Sequence, residues 1–251
     1  MIISYAQRRE DVLLFRALAG IEHGFYIDVG ANDPTFDSVT RLFYERGWSG
    51  INVEPSPAWF DRLTAERPRD VNLRLALSDR QGSTEFHEIV GTGLSTVSET
   101  FAARHVEAGF ERRTYDVPTE TLAAVCKEHV RGDIHFLKVD VEGAEEAVLR
   151  GADFVSYRPW IVLVEATEPN SDTPTHEEWD PLLRESGYVF TLLDGLNRFY
   201  VAAERSELCP FLAFPADDYV LAATLRERDG LLSQLKSAEM RLGQSGDGPS
   251  G

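Results

Sequence analysis

Cysteine is scarce in this 251-residue chain, which has only Cys126 and Cys209. Two thiols so far apart in sequence supply neither a disulfide framework nor a thiolate metal site, and the simplest compartment for them is a reducing cytoplasm. Basic residues are also in deficit, with 25 Lys and Arg against 42 Asp and Glu and a formal charge of -17. So acidic a surface repels polyanions, and no nucleic-acid or anionic-membrane partner is expected. There is no run of about 18 apolar residues, nor a cationic leader followed by a long apolar core. Neither a membrane span nor export by a standard signal is expected.

Glycine is missing where a phosphate-bearing cofactor would need it. The stretch Phe25-Tyr26-Ile27-Asp28-Val29-Gly30-Ala31-Asn32-Asp33-Pro34 is an apolar run ending in Asp-x-Gly, which reads as a buried strand turning sharply at its carboxyl end. A dinucleotide fingerprint continues with two more glycines, whose bare N–H groups surround a pyrophosphate, but here Ala31, Asn32, Asp33 and Pro34 follow. An acidic, proline-bearing turn is a poor phosphate cradle. It suits an adenosine cofactor without phosphates, such as S-adenosylmethionine (SAM), whose ammonium and sulfonium groups are positive. Gly30 is expected to let backbone approach that ligand without a Cβ in the way, and Asp28 to accept hydrogen bonds from its cationic or hydroxylated groups.

The same pattern of an apolar strand meeting an acid recurs. Residues 38–46 are patterned as a helix stopped by Gly47, and Gly50-Ile51-Asn52-Val53 then runs into Glu54. An acid closing the second strand about 20 residues after the glycine turn is placed to hold ribose hydroxyls through both carboxylate oxygens. Residues 71–77 read as a third strand, with Ser78 and Asp79 at its end, where an adenine edge is met in this architecture. Residues 134–139 form another strand, and Asp140 and Glu142, two apart at its end, share one side; Gly143 permits the exit into a helix starting near Glu145. Repulsion between these carboxylates raises at least one pKa and suits a proton acceptor, unless Mg²⁺ or the cofactor's own charge relieves it; no metal ligands are assigned. Residues 160–164 end in Glu165. The carboxyl ends of parallel strands lie along one edge of an open sheet, so Asp28, Glu54, Asp140 and Glu165 are expected to line one cleft.

An amphipathic helix through Val12, Leu13, Leu14, Phe15 and Leu18 precedes the first strand, with Ser4, Tyr5 and Gln7 ahead of it as a cap or as ligand contacts. Residues 83–90 alternate as a hairpin or excursion strand, and residues 91–97 form a loop over the site, in which Ser95 either reaches ligand or braces the loop. Residues 101–116, with Arg104, His105, Arg112, Arg113 and Tyr115, make either a lid or a solvated helix, and Thr119 is the expected N-cap of the next helix. The polar loop 166–179 is placed to choose the substrate, and its His176 is either a general base or part of a helix start. Residues 188–202 read as an antiparallel hairpin closing the sheet, in which Asp194 and Asn197 fix the turn or meet sugar hydroxyls. One α/β domain over residues 1–210 is followed by a helical extension over 211–242 and a disordered tail over 243–251. Leu221, Leu225, Leu232, Leu235 and Leu242 give the extension a stripe that docks or makes a homodimer.

Four segments together resemble FkbM-type SAM-dependent methyltransferases: Ser4-Tyr5-Ala6-Gln7, Asp28 through Pro34, Gly50 through Pro55, and Leu137 through Glu145. The likeness spans residues 4–204. It implies a Rossmann-like class I methyltransferase fold, a seven-stranded, mostly parallel sheet with an antiparallel last strand and helices on both faces. It also implies methyl transfer to a hydroxyl of a small-molecule acceptor, often a sugar or natural product. The cofactor contacts it implies are Asp28, Gly30, Ala31, Asn32 and Ser38 around the first turn, Glu54 and Pro55 at the ribose, Ser78 and Asp79 beside adenine, and Asp140. Asp140, Glu142, Glu165 and His176 are left to bind or deprotonate the acceptor. Asp33-Pro34 departs from the further glycine that many class I methyltransferases carry. The alternatives are a degenerate scaffold protein and a nucleotide-cofactor oxidoreductase; the latter should show a phosphate-binding glycine cluster and a Tyr-x-x-x-Lys base, and neither is evident.

Overall fold

The computed structural model describes residues 2–212 and 219–221. The chain opens with β1 (Ile2–Ser4) and α1 (Glu10–Ala17). β2 (Phe25–Val29), α2 (Arg41–Glu45), β3 (Ser49–Val53), α3 (Pro57–Glu66) and β4 (Val71–Leu73) then alternate strand and helix. An excursion follows: β5 (Ala76–Leu77), β6 (Gly82–Ile89), α4 (Glu99–Glu107) and β7 (Arg112–Glu120). The alternation resumes with α5 (Leu122–His129), β8 (Phe136–Val139), α6 (Glu145–Arg150), β9 (Ile161–Glu165) and α7 (Asp180–Glu185). The antiparallel pair β10 (Tyr188–Leu193) and β11 (Asn197–Ala202) ends it. A 3-10 helix spans Ala203–Phe211, and β12 (Tyr219–Leu221) pairs in parallel with β1.

Seven strands form the central sheet in the order β10-β11-β9-β8-β2-β3-β4. The five from β9 to β4 are parallel, and β11 runs antiparallel to β9. This is the α/β, Rossmann-like arrangement expected, with the antiparallel last strand inserted beside β9. Strand side chains alternate between faces, so each strand feeds two cores. Ile27, Val29, Ile51, Val53, Leu137, Val139, Val162 and Val164 pack on one face with residues of α5, α6 and α7. Tyr26, Phe136, Ile161, Leu163, Phe199 and Val201 pack on the other with residues of α1 and α2. Among the described residues no helix is long and apolar enough to cross a membrane.

The N-terminal segment is fixed by Asp11. Its buried carboxylate accepts hydrogen bonds from Ser4 Oγ at 2.7 Å and from the backbone N–H groups of Tyr5 at 2.7 Å and Val12 at 2.8 Å. Ser4 and Tyr5 therefore brace the entry to α1, while Gln7 reaches the cavity described below.

Several elements differ from the sequence reading. Residues 71–77 are not one strand. β4 stays in the main sheet, but Ala76 and Leu77 pair with Thr119 and Glu120 of β7, giving a separate sheet in the order β5-β7-β6 whose small core is Ala76, Phe86 and Val117. The second half of residues 101–116 is neither lid nor helix, because β7 begins at Arg112 and pairs with the whole of β6. Thr119 accordingly lies within a strand, and the helix cap falls on Thr121, whose Oγ1 accepts from Ala124 N at 3.1 Å. Leu221, placed on the C-terminal helical stripe, stands instead in β12; the other leucines of that stripe and the tail lie outside the described residues.

Candidate active site

A cavity of about 630 Å³ opens at the carboxyl ends of β2, β3, β8 and β9, where ligands bind in open parallel sheets. Its floor is the turn after β2. Gly30 and Ala31 donate to Val53 O at 3.0 and 3.2 Å, and Asn32, left-handed at φ 48°, donates its N–H to Glu54 Oε2 at 2.9 Å. Glu54 Oε1 accepts from Ser56 N at 2.8 Å. Each oxygen of Glu54 thus keeps one lone pair unused, and the residue lines the cavity beside Pro55.

Gly30 lines the cavity and is also demanded by the neighbouring backbone. It has φ +78°, and a Cβ there would sit 1.8 Å from the carbonyl oxygen of Asp140. The glycine lets β2 and β8 turn away side by side at the sheet edge, so the close approach is of backbone to backbone. Asp28 is absent from the lining of the cavity and lies beneath it. Its Oδ2 accepts from Thr40 Oγ1 at 2.9 Å, and Oδ1 faces Lys138 Nζ at 3.3 Å.

Lys138, read from sequence only as part of a strand, is the organising cation. Its Nζ donates to Gly30 O at 3.0 Å and pairs with Asp28 and with Asp140 Oδ2, both at 3.3 Å. Burial works against its charge, yet Asp28 and Asp140 outweigh that and hold its pKa above the usual lysine value.

The acidic cluster forms as expected at the ends of β8 and β9. Asp140, Glu142 and Glu165 each bring one carboxylate oxygen to within 4.8 Å of the others. Burial, then the charge of Asp140, pushes the pKa of both Glu142 and Glu165 well above the carboxylate range. Glu142 is left-handed at φ 54°; Thr96 Oγ1 donates to its carbonyl at 2.7 Å. Glu145 Oε1 accepts from Val141 N and Gly143 N at 3.1 Å each, which ties the loop shut.

Other expected contacts lie elsewhere. Ser38 accepts from the buried Arg67 Nη2 at 3.0 Å and does not line the cavity, whose first turn is represented by Gly30, Ala31 and Asn32. Ser78 and Asp79 bond to each other at 3.2 Å on the surface, also outside the lining. Splitting of the third strand redirects them, and Trp59, Leu75, Leu77 and Phe86 supply the apolar wall in their place. Trp59 gave no signal in sequence because α3 carries no motif. His176 stands outside the lining, edge-on to Trp179 at 6.4 Å between ring centroids; burial, helped by Arg198, lowers its pKa. Its backbone carbonyl accepts from Asp180 N at 2.8 Å, so the helix-start reading describes its position. Residues 91–97 do cover the cavity, and Ser95 braces them by accepting from Ile89 N at 3.0 Å. Asp194 fixes its turn through Leu196 N and Asn197 N, while Asn197 Nδ2 donates to Glu10 Oε1 at 2.9 Å at the cavity wall. Thr167, Asn170, Ser171 and Asp172 complete the lining from the polar loop.

Three of these buried carboxyls make stability depend on pH. Burial raises the pKa of Glu10 to about 8 and those of Glu54 and Glu145 to about 7. Each holds its proton in the folded chain at pH values where the unfolded chain has lost it, so stability falls as pH rises through those values. The buried histidines His105 and His135 and the partly buried His176 have lowered pKa values and act in the opposite sense only below about 6.5. The melting temperature of the ligand-free protein is therefore expected to fall by several degrees between pH 6.5 and 8.5. A flat or rising profile by differential scanning calorimetry would contradict the assignment.

Residues 28–190 match the family model described as the methyltransferase FkbM domain. Among solved structures, the chain is similar to a methyltransferase FkbM from Methylobacillus flagellatus KT, with 13% identity, 74% of this chain and 47% of that chain covered, and a TM-score of 0.46. It is also similar to a TehB-like SAM-dependent methyltransferase from Corynebacterium glutamicum ATCC 13032 Kitasato, with 8% identity, 77% and 87% covered, and a TM-score of 0.42. The chain thus spans about half the length of the first of these. Comparison with curated proteins finds no match. The family match takes in the end of β2 with its turn, Glu54 and the whole acidic cluster, and the chain belongs to the FkbM-domain methyltransferase family.

Proposed function

We propose that the protein is a SAM-dependent O-methyltransferase acting on a hydroxyl of a small-molecule acceptor, a sugar or a hydroxylated natural product. The observation that carries this reading is Glu54, buried at the end of β3, lining the cavity with one free lone pair on each oxygen. Two vicinal ribose hydroxyls fit that donor demand, and Trp59, Leu75, Leu77 and Phe86 offer an apolar wall for the adenine. The Gly30–Asn32 turn and Asp140 face the amino-acid part of the cofactor, and Asp28 acts indirectly by positioning Lys138.

SAM, when bound, supplies an electrophilic methyl group on a positively charged sulfur. The acidic edge favours that charge over a phosphate. The 91–97 loop and the polar loop after β9 keep water from the reacting atoms, and Thr167, Asn170 and Asp172 are the groups available to orient a polyhydroxyl acceptor. As the acceptor oxygen takes the methyl group, Asp140, the half-exposed member of the acidic cluster, receives the hydroxyl proton. No covalent enzyme intermediate is required.

The test is transfer of label from methyl-labelled SAM to a panel of sugars and glycosylated aglycones, with NMR of the product. A new methyl ether supports the reading. Transfer exclusively to nitrogen or carbon acceptors would overturn its O-methyl part.

A further inference from the structure

We propose that Asp140, Glu142 and Glu165 form a binding site for one hard divalent cation, Mg²⁺ or Mn²⁺, next to the acceptor. The three side chains come from the ends of adjacent strands, and one oxygen from each lies within 4.8 Å of the others, close enough for a single ion to be shared. A second observation points to a ligand. Glu142 and Glu165 are only 8% exposed, and the Oε2 atom of each has no hydrogen-bond partner among the described residues. Buried carboxylate oxygens in this condition are costly, and native structures satisfy them with a donor, water or an ion.

Glu54 and Glu145 do not share this condition, and Asp28 shares it only at Oδ1, which faces Lys138 Nζ at 3.3 Å. Both oxygens of Glu54 accept backbone N–H groups, Glu145 accepts two, and Asp28 is held by Thr40 and Lys138. Lys138 is the one cation paired with the cluster among the described residues, and it is divided between Asp28, Asp140 and Gly30 O. Glu142 and Glu165 have no cation paired directly with them: Glu165 meets the carboxyl of Asp140, and Glu142 Oε2 meets no partner among the described residues. Thr167 Oγ1, also buried and unpartnered, lines the same cavity. The donors are all oxygens, with no His or Cys in the set, which selects Mg²⁺, Mn²⁺ or Ca²⁺ over Zn²⁺. Three carboxylates leave room in an octahedral shell for water and one substrate oxygen.

This inference rests on the O-methyltransferase reading for its purpose: an ion here would bind the acceptor hydroxyl, lower its pKa and fix its orientation. The site itself can be tested independently. Mn²⁺ is titrated into the full chain without SAM, at about 0.15 M salt to screen the acidic surface, and free Mn²⁺ is read by electron paramagnetic resonance. S-adenosylhomocysteine binding is measured calorimetrically on the same protein. The expected result is one saturable Mn²⁺ per chain, displaced by Mg²⁺, with affinity at least tenfold weaker in Glu142→Gln and Glu165→Gln and intermediate in Glu165→Asp. Both Gln variants should melt no lower than the parent in the metal-free state, since each removes a buried acid with no cation paired directly with it. No saturable site, or undiminished affinity in both Gln variants, overturns the cation site. Mn²⁺ binding without S-adenosylhomocysteine binding would instead remove the methyltransferase reading and leave the site standing.

Discussion

Replacing Glu54 by glutamine is expected to weaken SAM binding at least about 100-fold. A carboxylate bonded to two ribose hydroxyls makes two charge-assisted hydrogen bonds, each contributing about 1.5–3 kcal/mol, and about 3 kcal/mol corresponds to roughly a hundredfold in affinity. Glutamine keeps the volume of the side chain and one acceptor oxygen, so either the Asn32 or the Ser56 N–H keeps its partner while the other loses it. Removing the charge also relieves the burial that raises the Glu54 pKa to about 7. Folding stability is therefore expected to change by no more than about 2 kcal/mol. Calorimetric titration beside a melting curve separates the two effects. A folded variant that binds SAM within threefold of the parent would remove Glu54 from the cofactor site.

The largest expected loss of stability comes from Gly30→Ala. A left-handed backbone costs a non-glycine residue about 1–2 kcal/mol, and the new methyl group would start 1.8 Å from Asp140 O and 2.9 Å from its carbonyl carbon. Both neighbours are backbone, and the carbonyl of Gly30 is tied to Lys138, so relief requires β2 and β8 to separate where Lys138 joins them. With overpacking at about 1–3 kcal/mol, the total is about 2–5 kcal/mol, or a melting temperature lower by roughly 10 °C. Gly20→Ala is the matched control, because a Cβ there meets no atom within 4 Å. Near-equal melting of the two variants would show that the edge is not held as described.

The features legible in the sequence were those set by local pattern. Apolar runs ending in acids located β2, β3, β8 and β9 and their shared edge, because a parallel strand buried on both faces must read as a continuous run and its carboxyl end must face the ligand side. Of Asp28, Glu54, Asp140 and Glu165, the last three line the cavity as those runs implied, with Glu142 beside them, and Asp28 does not. What failed depended on partners distant in sequence. Asp28 has the position of a ligand group, but Lys138, 110 residues later, turns it into a buried counter-ion. Residues 71–77 alternate without a break, and only the arrival of Thr119 and Glu120 divides them between two sheets. The charged strand β7 looked solvated because its pairing partner, β6, lies in an excursion with a core of three buried side chains. Trp59 sits on a short helix whose placement over the cavity no local periodicity encodes.

The central claim, an adenosine cofactor without phosphates held at the β2–β3 edge, is tested most directly by isothermal titration of the purified protein with SAM, S-adenosylhomocysteine and NAD. The expected result is saturable, one-to-one binding of the first two and none of NAD. Saturable binding of NAD, or no binding of either sulfur nucleoside, would contradict the account.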